Sequence, residues 1–193
     1  AGASEKGKAF AAKHAEALFT TLASDLDELK AFTSDIRERV VRNGRNAEDI
    51  KIFPGIVPIV GRTEEEAQEK YEELLTYVSY EGTAAMLSGH TGVDFSQYEP
   101  DQYVVNVTTE ASHGFLQKYA ASTTRKWTVR EAILHHGLGI GATKVIGTPE
   151  QVADELEAMA NEGDADGFNI IQAASPSTFE DFIEHVIPVL QER

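Results

Sequence analysis

Cysteine is absent from this sequence of 193 residues, and basic residues are scarce. Without cysteine the chain can form neither a disulfide nor a thiolate metal site. It has 17 lysines and arginines against 32 aspartates and glutamates, which gives a formal net charge of −15. A chain of this charge offers no basic stripe to neutralise phosphates, so neither nucleic acid nor a membrane surface is an expected partner.

The sequence also lacks an apolar run long enough to span a bilayer, a signal peptide and an initiating methionine. We therefore expect a cytoplasmic protein whose first residue is not the natural start of translation. No His-x-x-x-His, Gly-x-Ser-x-Gly or Walker pattern is present, so we predict no metal site, hydrolase nucleophile or phosphate loop of that kind.

The clearest local signal lies near residue 148. A short apolar run ending at Gly147 predicts a buried strand, and Thr148, Pro149 and Gln151 form a helix start with a capping box. A second strand is predicted at 167–172, followed by another helix. This βαβα order predicts parallel strands joined by a right-handed crossover.

The same rhythm occurs earlier in the chain. Strands are predicted near 18–20, 51–60, 143–147 and 167–172, each followed by a helix. Pro54 lacks a ladder donor, as does Pro58, so a bulge or bend is expected near Pro54-Gly55. Four βα units are half of an eight-fold (β/α) barrel, and they would equally suit a small doubly wound sheet.

The helices at the two ends of the chain are predicted to be amphipathic. The first, capped by Ser4, carries on one face Phe10, Ala11, His14, Ala17 and Leu18. The last, predicted at 177–191, has as its inward residues Phe179, Phe182, Ile183, Val186 and Leu190. Pro188 is expected to distort its final turn.

The pattern is irregular from about 80 to 140. Short helices are predicted at 82–88, 110–121 and 128–136, the last with a Thr128–Glu131 capping box. A long irregular excursion of this kind is typical of a lid, a binding region or a disordered loop. We interpret residues 1–193 as one domain with this region inserted in it.

Four stretches carry a family resemblance: AGASEKGKAFAAKHAEALFT, IKIFPGIVPIVGRTEEEAQEKYEELL, LSGHTGVDFSQY and VIGTPEQVADELEAMANEGDADGFNI. Together, and in this order, they resemble the bacterial luciferase-like flavin monooxygenases. The branch they resemble holds the nitrilotriacetate, dibenzothiophene-sulfone and long-chain alkane monooxygenases. The resemblance implies a TIM-type barrel, reduced FMN supplied by a separate flavin reductase, O₂ activation at the flavin C4a and a small organic substrate.

Members of that family are much longer than this chain, which looks like their C-terminal half. A half barrel exposes strand edges and the inner face of its sheet. We therefore expect it to pair with a missing N-terminal half-barrel or to form a homo-oligomer. Two interpretations stay open: the C-terminal half of an FMNH₂-dependent monooxygenase, or an inactive half-barrel module that self-associates.

The resemblance also implies a cofactor site at Gly2, Ala3 and Ser4, which match the family's strand-to-helix turn that binds the FMN phosphate. A serine hydroxyl beside the free amides of a helix N-terminus is an anion site. The alternative is that Ser4 is a plain N-cap. The family usually has serine where Ala3 stands, so one hydroxyl contact to the phosphate is missing.

His90 is the candidate catalytic residue. It lies among glycines in the 80–140 region and could donate a proton to the substrate or to the oxygenated flavin. The alternative is a solvated loop histidine. The pair His135-His136 is better explained as stabilising a helix C-terminus. Asn169 and Gln172, on or just after the last strand, are further candidates for lining the site.

Overall fold

The computed structural model describes residues 4–21, 25–104, 119 and 126–193. In chain order the helices and strands are α1 (Glu5–His14), β1 (Ala17–Thr20), α2 (Leu26–Arg42), β2 (Lys51–Val60), α3 (Glu64–Thr76), α4 (Tyr80–Thr91), α5 (Val129–Gly137), β3 (Thr143–Gly147), α6 (Pro149–Asn161), β4 (Asn169–Ile170), α7 (Ser177–Asp181) and α8 (Ile187–Gln191). Short 3₁₀ turns lie at Ala47–Asp49 and Phe95–Gln97, and a π-helical segment, Phe182–Val186, joins α7 to α8.

β2 is the central strand of a four-stranded parallel sheet. β1 pairs with residues 51–54 of β2, β3 pairs with residues 56–60, and β4 pairs with residues 55 and 56. The predicted strands at 51–60 and 143–147 are confirmed with those bounds. The strand predicted at 167–172 is regular only at Asn169–Ile170, and it pairs with β2.

Two prolines lie within β2 without interrupting its pairing. The Lys51 amide donates to the carbonyl of the residue before β1 at 2.8 Å, and the Gly61 amide donates to the last carbonyl of β3 at 3.1 Å. Odd-numbered residues of β2 therefore direct their amides to β1 and β3. Pro54 and Pro58 are even-numbered, so the N–H groups they lack are not needed by these two neighbours.

The expected irregularity near Pro54 lies in the chain opposite it. On that side the carbonyls of Ile52 and Ile56 accept from the amides of Asp166 and Ile171. Between these two hydrogen bonds, β2 is four residues long and the facing chain is five residues long. The extra residue is a bulge beside the position where proline cannot donate.

Helices cover one face of the sheet and form two cores there. The first core includes Ala11, Ala12, Leu18, Ile36, Val40, Ile50 and Ile52, and the second includes Leu29, Ile56, Val60, Val145, Val152, Leu156, Phe182 and Val186. Their side chains come from β1, β2, β3, α1, α2, α6 and the π-helical segment. The face that they cover is therefore the outer, helix-packed face of the sheet.

The chain divides into two compact units, Ala1–Glu72 with Ala142–Arg193, and Glu73–Gly141. The second unit is more regular than its sequence suggests. The helix predicted at 82–88 spans Tyr80–Thr91, and the Thr128–Glu131 capping box before α5 is confirmed. The helix predicted at 110–121 lies outside the described residues apart from Tyr119. The unit has its own core, which includes Leu87, Phe95, Val104, Val129 and Ile133.

The predicted inner faces of the two terminal helices are partly wrong. α1 ends at His14, so Ala17 and Leu18 belong to β1, and Phe10 is 68% exposed. In the last helix Phe182 and Val186 are buried as predicted, whereas Phe179 is 38% exposed and Ile183, within the π-helical segment, is 60% exposed. Pro188 follows this turn and lacks the amide that an α-helical bond to residue 184 would need.

Candidate functional site

The carboxyl ends of parallel strands are where (β/α) barrels place their functional groups. Here each strand is followed by a helix, and all three strands that pair with β2 run parallel to it, as strands of such a barrel do. Two side chains brace this end. Lys70 Nζ donates to the Val60 carbonyl at 2.7 Å and to Asp181 at 3.1 Å. Thr178 Oγ1 accepts the amides of Ala173 and Ala174, each at 3.1 Å, and so orders the loop after β4.

Ser4 is the N-cap of α1, as both interpretations of this residue require. Its Oγ accepts the Gly7 amide at 3.1 Å, and its carbonyl accepts the Lys8 amide at 2.8 Å. Because the hydroxyl acts as an acceptor toward Gly7, its own hydrogen remains to be donated. The amides of residues 5 and 6 have no acceptor within the helix, since first-turn amides never do. These groups fit a phosphate oxygen, whereas Gly2 and Ala3 lie outside the described residues.

Glu5, Lys8 and Arg39 beside this helix start form ion pairs within the chain, whereas Lys6 in the same turn is exposed. Arg39 donates to Glu5 at 2.8 Å, and Lys8 Nζ donates to Asp35 at 2.8 Å while lying 5.4 Å from the Phe32 ring centre. An anion at Ser4 would therefore be held mainly by hydrogen bonds and the helix dipole. The Glu5 carboxylate opposes it at close range.

His90 lies in the last turn of α4 and not in a loop, where the alternative interpretation placed it. The helix ends at Gly92, whose φ of 72° gives the left-handed cap that glycine favours. The His90 side chain is exposed. Its role as a proton donor stays a prediction.

The tandem histidines lie at the C-terminus of a helix, as their sequence position predicted. His135 and His136 lie in the last turn of α5. The His135 ring lies 4.9 Å from the Trp127 ring centre and 6.0 Å from that of Tyr119. This aromatic packing adds a second structural reason for His135 beyond the helix dipole.

Besides the candidate Asn169, one face of the sheet carries side chains that the sequence analysis did not identify. Parallel register pairs Phe19 with Phe53 and Gly55 with Asn169, which puts all four residues on the face opposite the helix-packed core. Ile171 follows Asn169 by two positions and lies on the same face. Period-two alternation along β2 is the signal that could have identified them.

Asn169 is exposed on this face, and its Nδ2 donates to the Phe53 carbonyl at 3.4 Å. It therefore bonds to the neighbouring strand β2 while remaining exposed. Gln172 is also exposed, just beyond the strand end. The two side chains are open to a ligand, and their role in the site stays a prediction.

An open cleft of about 490 Å³ lies at the end of β3, and it is lined by Glu64, Glu65, Gln68, Ile146, Gly147 and Gln151. Gln151 also donates to Glu64 across it. Two carboxylates without a neighbouring cation in this lining would repel a flavin phosphate. This cleft does not fit FMN.

Within the described ranges, no three histidine or acidic side chains are placed to share a metal ion. In the same part of the chain, no helix combines the length and apolar character that crossing a bilayer requires.

The parallel sheet with its covering helices and the phosphate-compatible helix start indicate a (β/α) barrel protein, and comparison with known proteins identifies the family. The chain belongs to the luciferase-like monooxygenases, whose family model matches residues 1–166. The expectations of family and of a partial TIM-type barrel are thus confirmed.

Three relatives illustrate the match. Dimethyl-sulfide monooxygenase of Hyphomicrobium sulfonivorans is 37% identical over 194 residues, and a crystal structure of DmoA from that organism superposes with a TM-score of 0.87. Long-chain alkane monooxygenase of Geobacillus thermodenitrificans is 40% identical over 193 residues. Each alignment covers 100% of this chain and 40% of the relative.

The third is a riboflavin lyase, whose crystal structure holds modified FMN and riboflavin. It is 34% identical, with a TM-score of 0.82, over 100% of this chain and 42% of that protein. The chain therefore spans about two fifths of the length of the relatives that it matches.

Proposed function

We propose that this chain is part of a two-component flavin monooxygenase, which oxidises a small organic substrate with O₂ and receives reduced FMN from a separate reductase. The observation that carries the proposal is the family match over residues 1–166, supported by relatives that are themselves named monooxygenases. Because the chain spans two fifths of those relatives, the activity is proposed for the whole enzyme to which the chain belongs.

In this proposal the N-terminus of α1 holds the FMN phosphate. Ser4 donates its free hydroxyl hydrogen, and the amides of residues 5 and 6 add two further donors at the positive end of the helix dipole. Bound FMN, when reduced, supplies the electrons for oxygen activation. The family resemblance adds Gly2 and Ala3 to this proposed site, and the alanine contributes no hydroxyl.

We assign His90 a separate role as proton donor. Its exposed place in the last turn of α4 leaves the imidazole accessible, and an imidazole can donate a proton to a reacting group. The expected signature of His90→Gln is a loss of product formed per reduced FMN consumed. If product yield and its pH profile are unchanged, His90 is not the donor.

An FMN titration with a matched pair of serine variants tests the phosphate site. Ser79 caps α4 by accepting the Gly82 amide at 3.0 Å, the same bond that Ser4 makes with Gly7 at 3.1 Å. Each Ser→Ala variant therefore loses one cap, at a cost of about 1 kcal/mol in stability. A charge-assisted hydrogen bond is worth about 1.5–3 kcal/mol, so Ser4→Ala should weaken FMN binding by about ten- to a hundredfold, and Ser79→Ala should not.

The titration should be made on the protein in its full encoded length and on the 193-residue chain. Full-length Ser4→Ala and Ser79→Ala proteins with equal FMN affinity would remove Ser4 from the site. Tight binding by the 193-residue chain would show that the pocket needs no further segment. If full-length protein binds no FMN and oxidises nothing while sedimenting as a dimer, the self-associating module replaces the monooxygenase as the function.

A further inference from the structure

Four charged side chains of α1 and α2 form a closed ring of ion pairs beside Ser4. Arg39 links its two carboxylates, because Nε donates to Asp35 at 2.6 Å and Nη2 donates to Glu5 at 2.8 Å. Lys8 Nζ closes the ring, at 2.8 Å from Asp35 and 4.0 Å from Glu5. The ring thus holds two cations and two carboxylates, and its net charge is zero.

Glu5 is the member of this ring that solvent reaches most easily. Its side chain is 75% exposed, whereas the side chain of Arg39 is 22% exposed. The nearest cation to the Glu5 carboxylate is Arg39, since Lys8 is more distant from Glu5 and bonds closely to Asp35. The Arg39 guanidinium is therefore the group that chiefly offsets the charge of Glu5.

The place of Glu5 in the chain gives this pairing a consequence for a bound anion. Glu5 is the first residue of α1 and directly follows the cap Ser4. Its amide is one of the proposed phosphate donors, whereas its carboxylate repels a phosphate and competes with it for the positive end of the helix dipole. Lys6, the next residue, is exposed and forms no ion pair with the part of the chain that the structure describes.

We propose that Arg39 is a positioning residue for the FMN phosphate and that it acts through Glu5. By binding the Glu5 carboxylate, Arg39 offsets the charge in the first turn of α1 that would otherwise repel the phosphate. This inference rests on the proposed function, because it explains how a phosphate site at Ser4 tolerates an acidic neighbour.

The test is an FMN titration on the protein in its full encoded length. Arg39→Gln should weaken FMN binding by about three- to tenfold, the scale of one uncompensated charge a few ångströms from the phosphate. The bond of Lys8 to Asp35 still joins α1 to α2 in this variant. Arg42→Gln is the matched control and should not change the affinity, because Arg42 lies on the same helix and loses only its exposed pair with Glu38.

A second substitution distinguishes this role from a purely structural one. Glu5→Gln should tighten FMN binding, although it removes a carboxylate that favours the helix dipole. In the Glu5→Gln/Arg39→Gln double variant there is no charge at residue 5 to offset, so the affinity should return to near the parental value. If Arg39 only fixed α1 in place, the double variant would bind FMN as weakly as Arg39→Gln does.

Ionic strength gives an independent readout. The ratio of parental to Arg39→Gln affinity should shrink toward one in about 1 M salt, where the Debye length falls to about 3 Å. Arg39→Lys keeps the positive charge and should lose less affinity than Arg39→Gln at low salt.

Failure of the inference can be told from failure of the proposed function. Equal FMN affinities of the Arg39→Gln and Arg42→Gln proteins, or a double variant as weak as Arg39→Gln, would overturn the role of Arg39 while the parent protein still binds FMN. A full-length parent protein that binds no FMN would instead reject the proposed phosphate site, and the inference with it.

Discussion

The guanidinium of Arg37 lies 3.0 Å from the carboxylate of Asp166, and the two side chains are only 11% and 14% exposed. Asp166 also accepts the Ile52 amide at 2.8 Å and Lys51 Nζ at 3.0 Å. One carboxylate thus joins α2, the start of β2 and the segment that leads into β4. This junction is at the amino end of the sheet, where barrels place groups that stabilise the fold.

Replacing this carboxylate should destabilise the protein measurably. Asp166→Asn weakens three hydrogen bonds to one group, although Arg37 keeps its bonds to Asp164 and to the carbonyls of Ala47 and Ile50. We expect the free energy of unfolding in urea to fall by about 1.5–3 kcal/mol. Asp154→Asn is the control.

Asp154 pairs with Arg193 at the surface, with its side chain 68% exposed, so the control should change stability by less than about 1 kcal/mol. Equal effects of the two substitutions would contradict a structural role for Asp166.

The same carboxylate predicts a pH dependence. Burial alone would raise the pKa of Asp166, but the Ile52 amide, Lys51 and Arg37 outweigh it and hold the pKa below its usual value. The bond from Arg39 chiefly lowers the pKa of Asp35 as well, together with Lys8 and against a smaller effect of burial. Folded-state pKa values below the unfolded ones mean that each group stabilises the native state above its unfolded pKa, near 4.

Stability should therefore be constant with respect to these two groups from pH 7 to about 5, and it should fall as the pH drops below about 4. Urea midpoints measured at pH 7, 5 and 3.5 check this. Asp166→Asn should show a shallower acid loss than the parent protein. A parent and variant with parallel pH profiles would show that Asp166 does not contribute.

Gly61 should tolerate no side chain. It directly follows β2, and a methyl group on it would lie 2.3 Å from the Ala67 amide nitrogen and 2.8 Å from the Thr63 carbonyl oxygen. Both are backbone atoms that cannot turn aside, so Gly61→Ala should lower the free energy of unfolding by about 1–3 kcal/mol or more. Gly89 in α4 has nothing within 4 Å of such a methyl group.

Gly89→Ala is accordingly the opposite case and should raise stability by about 0.4–1 kcal/mol, because it reduces the entropy of the unfolded chain within a helix. Thermal melts of the two variants should shift in opposite directions. Shifts of the same sign would contradict the claim that the backbone of the turn after β2 leaves no room for a side chain on Gly61.

Ile140 carries backbone strain that glycine would relieve. Its φ is 56°, between Gly139 at 81° and Gly141 at 75°, and a β-branched residue is rarely found in this left-handed region. The side chain is 61% exposed, so little packing is lost on its removal. Ile140→Gly should raise the free energy of unfolding by about 1 kcal/mol.

Val41→Gly provides the comparison, because Val41 is 56% exposed in the last turn of α2. The same kind of truncation should there lower stability by a few tenths to about 1 kcal/mol, since glycine is the weaker helix former. If Ile140→Gly destabilises to the same extent, the left-handed conformation at residue 140 is not strained.

Local sequence patterns were enough to predict several of the helices and strands correctly. The capping boxes at Thr128 and Thr148, and the strands at 51–60 and 143–147, are where their residues predict them. Each depends on contacts within a few residues: a hydroxyl and an amide three positions apart, or a short apolar run bounded by turns. Ser4 as an N-cap belongs to the same class.

Which residues from distant parts of the chain contact each other was decided by the tertiary structure. Pro54 and Pro58 are accommodated because neither β1 nor β3 needs their amides, a fact of register and not of composition. Phe10 was expected on a buried face and is exposed, because α1 is short and covers the sheet with its alanines instead.

The sequence by itself determined the family, the alternation of strands and helices, and the serine that begins α1, because these depend on local residue types and their order. Only the tertiary structure placed Phe19 and Ile171 together over Gly55, although 36 and 116 residues separate them from that glycine. Such a contact depends on strand register between distant segments. Register is set by the packing of the helix-covered face, and a one-residue shift would turn every one of these side chains to the other side.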